Sequence, residues 1–128
     1  NNNDIKLIDM DGANYYDAWE LDIGKLFQSI VSKSEEWFNM TFDINDLINN
    51  EQHELEKYFD IDWFILNDYM KIFMNIYEDT YFNIQKKGIF YMCTYFIRFV
   101  PFMYLKSDNH AKFAIILAIV WLNKLISF

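Results

Sequence analysis

Apolar residues recur at three- and four-residue steps over most of this chain, the spacing that one buried face of a helix requires. From Asp17 to Phe38 that period is kept by Ile23, Leu26, Phe27, Ile30, Val31, Trp37 and Phe38, with Gly24 as a weak point. A second helix is expected over 43–59, with Ile44, Leu47, Ile48, Leu55 and Tyr58 apolar and Thr41 or Asp43 able to cap its first free amides. In a third, over 63–79, Leu66, Tyr69, Met70, Phe73, Ile76 and Tyr77 fall together. Asp79 or Thr80 then opens a fourth, which should stop at about Val100, because Pro101 lacks an amide proton and clashes with the preceding turn. Ser107, Asp108 and Asn109 cap a fifth that runs to the end of the sequence. No stretch alternates as a strand would. The expectation is an all-α, compact bundle of about five helices, with residues 1–16 a polar tail and 17–128 a single helical domain.

Length and local charge bear on whether the last two helices cross a membrane. A span needs about 20 consecutive apolar residues. The run Gly88–Leu105 contains Arg98 and Pro101, and Phe113–Leu122 is shorter still. A charge deep in lipid is costly, so the pair reads as the centre of a soluble core, and no membrane partner is expected.

Composition narrows the class. With 128 residues the chain can bury one core without disulfides, and its single cysteine, Cys93, lies inside an apolar run. The start has neither a basic lead nor the apolar core of a secretory signal, so an intracellular setting, cytoplasmic or nuclear, is expected. In that setting the Asn39-Met40-Thr41 sequon carries no meaning. Hydrophobic residues reach 53% and aromatics 20%, partly the mark of AT-rich coding, so spacing tells more than any single ring. The net charge of −8 argues against nucleic acid, whose phosphates need a basic face. That charge is uneven: residues 1–68 hold 16 acids and 4 bases, residues 69–128 hold 3 acids and 7 bases. Such polarity favours attraction between the halves or an acidic face for a basic partner.

Candidate chemistry is sparse. His53 and His110 lie far apart with no cysteine near either, so no zinc set is expected, and three glycines cannot build a phosphate loop. Calcium loops centred on Gly12 or begun at Asp43 place Leu7, Ala18, Leu47 or Ile48 where a ligand or a glycine is needed. The adjacent acids Glu35 and Glu36, and the pair Glu54 and Glu56, have no evident pocket to raise a carboxylate into the range of acid–base catalysis. The expectation is a non-enzymatic interaction module, without metal or cofactor, whose surplus aromatic surface meets a protein partner.

Two resemblances sharpen that expectation. The segments "FILNDYMKIFMNIYED", "IFYMCTYFIRFVP" and "SDNHAKFAIILAIVWLNKL" resemble the first three helices of a P-type cyclin box, with Tyr95, Arg98 and Phe99 matching its second-helix motif and Asn109 and Lys112 its third. The preceding "KLFQSIVSKSEEWF" is similar to the helix ahead of that box. The resemblance implies binding and activation of a protein kinase, with Lys124 one position from the family's kinase-contacting lysine. The partner-binding candidates are then Tyr69, Phe73, Lys112, Trp121 and Lys124, on the third and fifth helices. Ile97 departs from the family's Asp, and Trp121 stands where the family has a small residue. The same "GKLFQSIVSKSEEWF" also looks like the second helix of the poxvirus Bcl-2-like proteins, with the last two helices as their central hairpin. That resemblance implies a groove for a helical peptide or a signalling adaptor. A structural subunit of a larger assembly is the third expectation.

Overall fold

A computed structural model describes residues 19–50, 52–60 and 63–127; the expected tail over 1–16 and the side chain of His53 lie outside what is described. Among the described residues there are seven helices and no strand. They are α1 (Trp19–Ile30), α2 (Ser34–Phe38), α3 (Ile44–Asn50), α4 (Gln52–Glu56), α5 (Trp63–Tyr77), α6 (Tyr81–Lys106) and α7 (Asp108–Ile126). The bundle is all-α as expected, but the count of about five is wrong. Five helices have seven residues or more; of the two short ones, α2 comes from a break inside the first expected helix, and α4 follows residue 51, which is not among the described residues.

The first break has a clear cause. Lys33 sits in the left-handed region at φ 52°, where a side chain costs energy and a helix cannot continue. Buried Ser32 braces the turn by donating its hydroxyl to the Gln28 carbonyl, while its amide reaches back to the Phe27 carbonyl at 3.3 Å. Glu78, at φ 50°, ends α5 in the same way. The capping residues follow from the sequence: Asp43 Oδ1 accepts from the amides of Asn45 and Asp46 at 2.9 and 3.1 Å, Thr80 Oγ1 from Asn83 at 3.2 Å, and Ser107 Oγ from His110 at 3.1 Å.

α6 is the hub, with α1, α5 and α7 packed along it. Its length is the second correction, because Pro101 does not end it; the helix runs on to Lys106. The proline leaves the Ile97 carbonyl without its helical partner. Both residues are exposed, so water can take that bond, while Met103 is buried and anchors the turn beyond. Only Ser107 separates α6 from α7, and Ile97 and Pro101 meet Ile115, Ile119 and Leu122, so the two helices fold back as an antiparallel hairpin.

The two helices α1 and α6 approach so closely that glycine is required at their contact. A Cβ on Gly24 would lie 2.5 Å from Tyr91 Cβ, and one on Gly88 would lie 2.5 Å from the Phe27 ring. The glycine that weakens α1 locally is what lets it dock. Beneath α2, α3 and α4 lies an aromatic cluster. Phe113 receives Trp37, Phe42 and Tyr58 edge-on, with centroids 4.9, 5.4 and 5.4 Å away.

Candidate functional site

Three of the concave features among the described residues have a largely apolar lining. The smallest, about 210 Å³, is lined by Trp37, Met40, Phe42, Tyr58 and Phe113, with Glu54 and Lys57 at its rim. Lys57 Nζ spans that rim, 2.7 Å from Glu36 and 3.9 Å from Glu54, and the Tyr58 hydroxyl donates to Glu36 at 3.3 Å. The hydrogen bond from Lys57 holds the Glu36 carboxyl below its usual range, and the same bond raises the Lys57 ammonium. A carboxylate shifted this way is a poor proton donor near neutral pH, the reverse of what a catalytic acid needs. The feature is a salt-bridged clasp that joins α2 to α4.

The second feature is a groove of about 360 Å³ between α1, α2 and the last turns of α6. Phe38, Phe99, Phe102 and Met103 form its apolar floor, and Lys25, Gln28 and Glu35 stand on its rim. Phe102 is 63% exposed, and Lys106 places its ammonium 4.3 Å from the Phe38 ring centroid at the edge. The groove exists because α6 continues past Pro101. If the helix stopped at Val100, the turn carrying Phe102 and Met103 would be lost. An apolar floor with a short polar rim of both charges is the architecture of a site that takes apolar side chains and fixes their register with hydrogen bonds.

The third is an aliphatic trough of about 390 Å³ between α6 and α7, walled by Ile97, Pro101, Ile115, Ile119 and Leu122. No polar side chain lines it.

The five expected partner-binding residues do not form one patch. Tyr69 is exposed on α5 in line with Ile72 and Ile76, while Phe73 is half-buried, its ring 6.3 Å from that of Tyr77. Lys112 is exposed on the first turns of α7. Trp121 is 1% exposed, and its indole donates to the Tyr58 carbonyl at 3.2 Å. Lys124 donates to the Phe59 carbonyl, lies 3.6 Å from Asp60 and sits 4.9 Å from the Trp121 ring centroid. Together Trp121 and Lys124 satisfy carbonyls just past the end of α4, which fastens α4 to α7.

Of the motif residues, Tyr95 is buried and stacks on Phe99 at 6.2 Å, and Arg98 is exposed. Asn109 ties α7 to α3 by accepting from the Ile44 amide at 3.1 Å. His110 is buried, its Nδ1 2.5 Å from Ser107 Oγ and its ring 4.8 Å from Phe42, so it packs and caps. Burial pushes the Cys93 thiol up to about 12, which removes it as a nucleophile. Among the described residues no cluster of His, Cys, Asp or Glu could hold a metal ion.

The groove residues Phe38, Phe102 and Met103 were not among the sequence-based candidates. One signal pointed to them: the apolar period of α6 runs through Pro101, from Phe96 and Val100 to Met103.

No family model matches the chain, and neither a curated protein nor a solved structure matches it. The comparisons add nothing to the cyclin-box or the Bcl-2-like resemblance.

Proposed function

We propose that this domain is a non-enzymatic protein-interaction module that receives an amphipathic partner helix in the groove between α1, α2 and the end of α6. The observation that carries this reading is the open aromatic floor of Phe38, Phe99 and Phe102, set between rim residues of both charges. A helix presenting apolar residues at three- and four-residue steps would place one or two of them on that floor. Lys25 and Glu35 would then meet polar groups on its flanks.

A kinase partner, which the cyclin-box resemblance implies, is supported less well. Two of the residues it would use, Trp121 and Lys124, are committed to holding α4.

Affinity capture from cells that make the protein, with wild type and Phe102→Asp compared at equal helicity, tests the reading. A helical partner retained by wild type and lost with the variant is expected. Recovery of the same proteins by both would remove the groove as the binding site, and recovery of a kinase by both would favour the cyclin-like alternative.

A further inference from the structure

The outer face of the α6–α7 hairpin is separate from that groove and differs from it in chemistry. Both helices are long and apolar enough to cross a membrane, with 26 and 19 residues. Their inner faces, however, belong to the core: Ile89, Met92 and Phe96 on α6, and Phe113, Leu117 and Trp121 on α7, are buried. Of the apolar residues left exposed, Phe102 belongs to the groove, and others form a strip beside the trough. Ile97 is 55%, Leu105 85%, Ile119 54% and Ile126 82% exposed, with the aliphatic trough between the helices.

Charge identifies the occupant. Residues 81–126 carry six bases against the single acid Asp108 in a chain of −8; Lys87 and Lys124 pair with Asp79 and Asp60 and Lys106 lies over Phe38 at the groove, whereas Lys86 and Lys112 share the helix faces of Ile97 and Ile119. α6 has no acidic residue at all. We infer that the outer face of the α6–α7 hairpin docks on an anionic lipid bilayer, lying in the interface with its aliphatic strip among the upper acyl chains and Lys86 and Lys112 at the headgroups. An apolar strip without hydrogen-bonding groups has little means of selecting a protein sequence, whereas a lipid surface requires no such selection. The same charge division orients the domain, since an anionic surface attracts the hairpin and repels the rest of the chain. Lying flat keeps α1 and α5 on the inner face, whereas spanning would strip that core.

Sedimentation of the full chain with phosphatidylcholine vesicles, with and without phosphatidylserine, tests this. Pelleting is expected only with phosphatidylserine, reduced at high salt and released by alkaline carbonate. The double variant Ile97→Asp/Ile119→Asp, compared at a temperature where its helicity equals that of wild type, should not pellet. Lys86→Glu/Lys112→Glu should lower the bound fraction about tenfold or more. Phe102→Asp, in the groove, should bind vesicles as wild type does. Failure of wild type to pellet with phosphatidylserine, equal pelleting of the Ile97→Asp/Ile119→Asp variant, or resistance to alkaline extraction would each overturn the inference. So would a wild-type dimer that this variant makes monomeric without any vesicle binding, since the strip would then face a second copy.

Discussion

Replacing Gly24 with alanine sets local preference against tertiary packing, and the structure says which wins. Gly24 lies within α1, where alanine is favoured over glycine by about 1 kcal/mol, so local propensity alone predicts a more stable protein. The added methyl would lie 2.5 Å from Tyr91 Cβ, 2.8 Å from the Tyr91 carbonyl carbon and 3.0 Å from the Met92 amide nitrogen. Comfortable carbon–carbon contact is about 3.5–4 Å, so α1 and α6 must separate by roughly 1 Å. The obstacle is backbone and a β-carbon, and no rotamer change removes either. Overpacking of this kind costs about 1–3 kcal/mol, and separation also loosens Ile23 and Phe27 in the core. With backbone as the obstacle the cost is about 3 kcal/mol, so after the gain of about 1 kcal/mol Gly24→Ala should be about 2 kcal/mol less stable, which for a domain of this size lowers the melting temperature by roughly 7 °C. Thermal and urea unfolding followed by circular dichroism measure it, with Ser29→Ala on the exposed face of α1 as the neutral control. Gly88→Ala should cost less, because its methyl meets the end of the Phe27 side chain. A Gly24→Ala protein as stable as wild type, or more so, would refute the close crossing.

Pro101→Ala restores the bond to the Ile97 carbonyl; an interior proline costs about 3 kcal/mol against alanine, and the freer unfolded chain returns about 1, so urea unfolding should show a gain of about 2 kcal/mol. A loss would mean that α6 does not run through this position. Lys33→Gly relieves a left-handed side-chain residue and should stabilise by about 1 kcal/mol in the same assay, whereas destabilisation would place Lys33 elsewhere in φ. The Glu36 carboxyl is held low by Lys57, so its contribution is present above the ordinary carboxylate range and disappears as pH falls through its lowered value. Both side chains are more than a third exposed, which keeps that contribution within about 1 kcal/mol. Glu36→Gln should therefore lower the melting temperature slightly near neutral pH and leave it unchanged in acid; an equal drop at both would assign the effect to packing.

The helical class and the caps were legible because both depend on local chemistry. Period and short oxygen side chains set α3, α6 and α7 at Asp43, Thr80 and Ser107, each one of two or three candidates that the sequence offered. The break after Ile30 was not legible, because a left-handed turn is normally marked by glycine or asparagine and here is made by Lys33. Pro101 misled in the opposite direction. Its rule is local, and burial of Met103 in the turn beyond an exposed Pro101 overrode it. The groove was hidden by that error, since its floor begins where the helix had been expected to stop. Trp121 and Lys124 show a further limit: periodicity places a residue on a helix face, but only tertiary contact reveals that the face is occupied by the end of α4.

The central claim, that the groove at the end of α6 holds a partner helix, is tested most directly by photo-crosslinking in cells with p-benzoylphenylalanine in place of Phe102, in place of Phe38, and at the exposed Asn49 of α3 as a control. The account predicts that positions 102 and 38 crosslink the same protein through a peptide of amphipathic helical period, and that position 49 does not. Crosslinks from all three positions to the same protein, or none from 102 and 38, would contradict it.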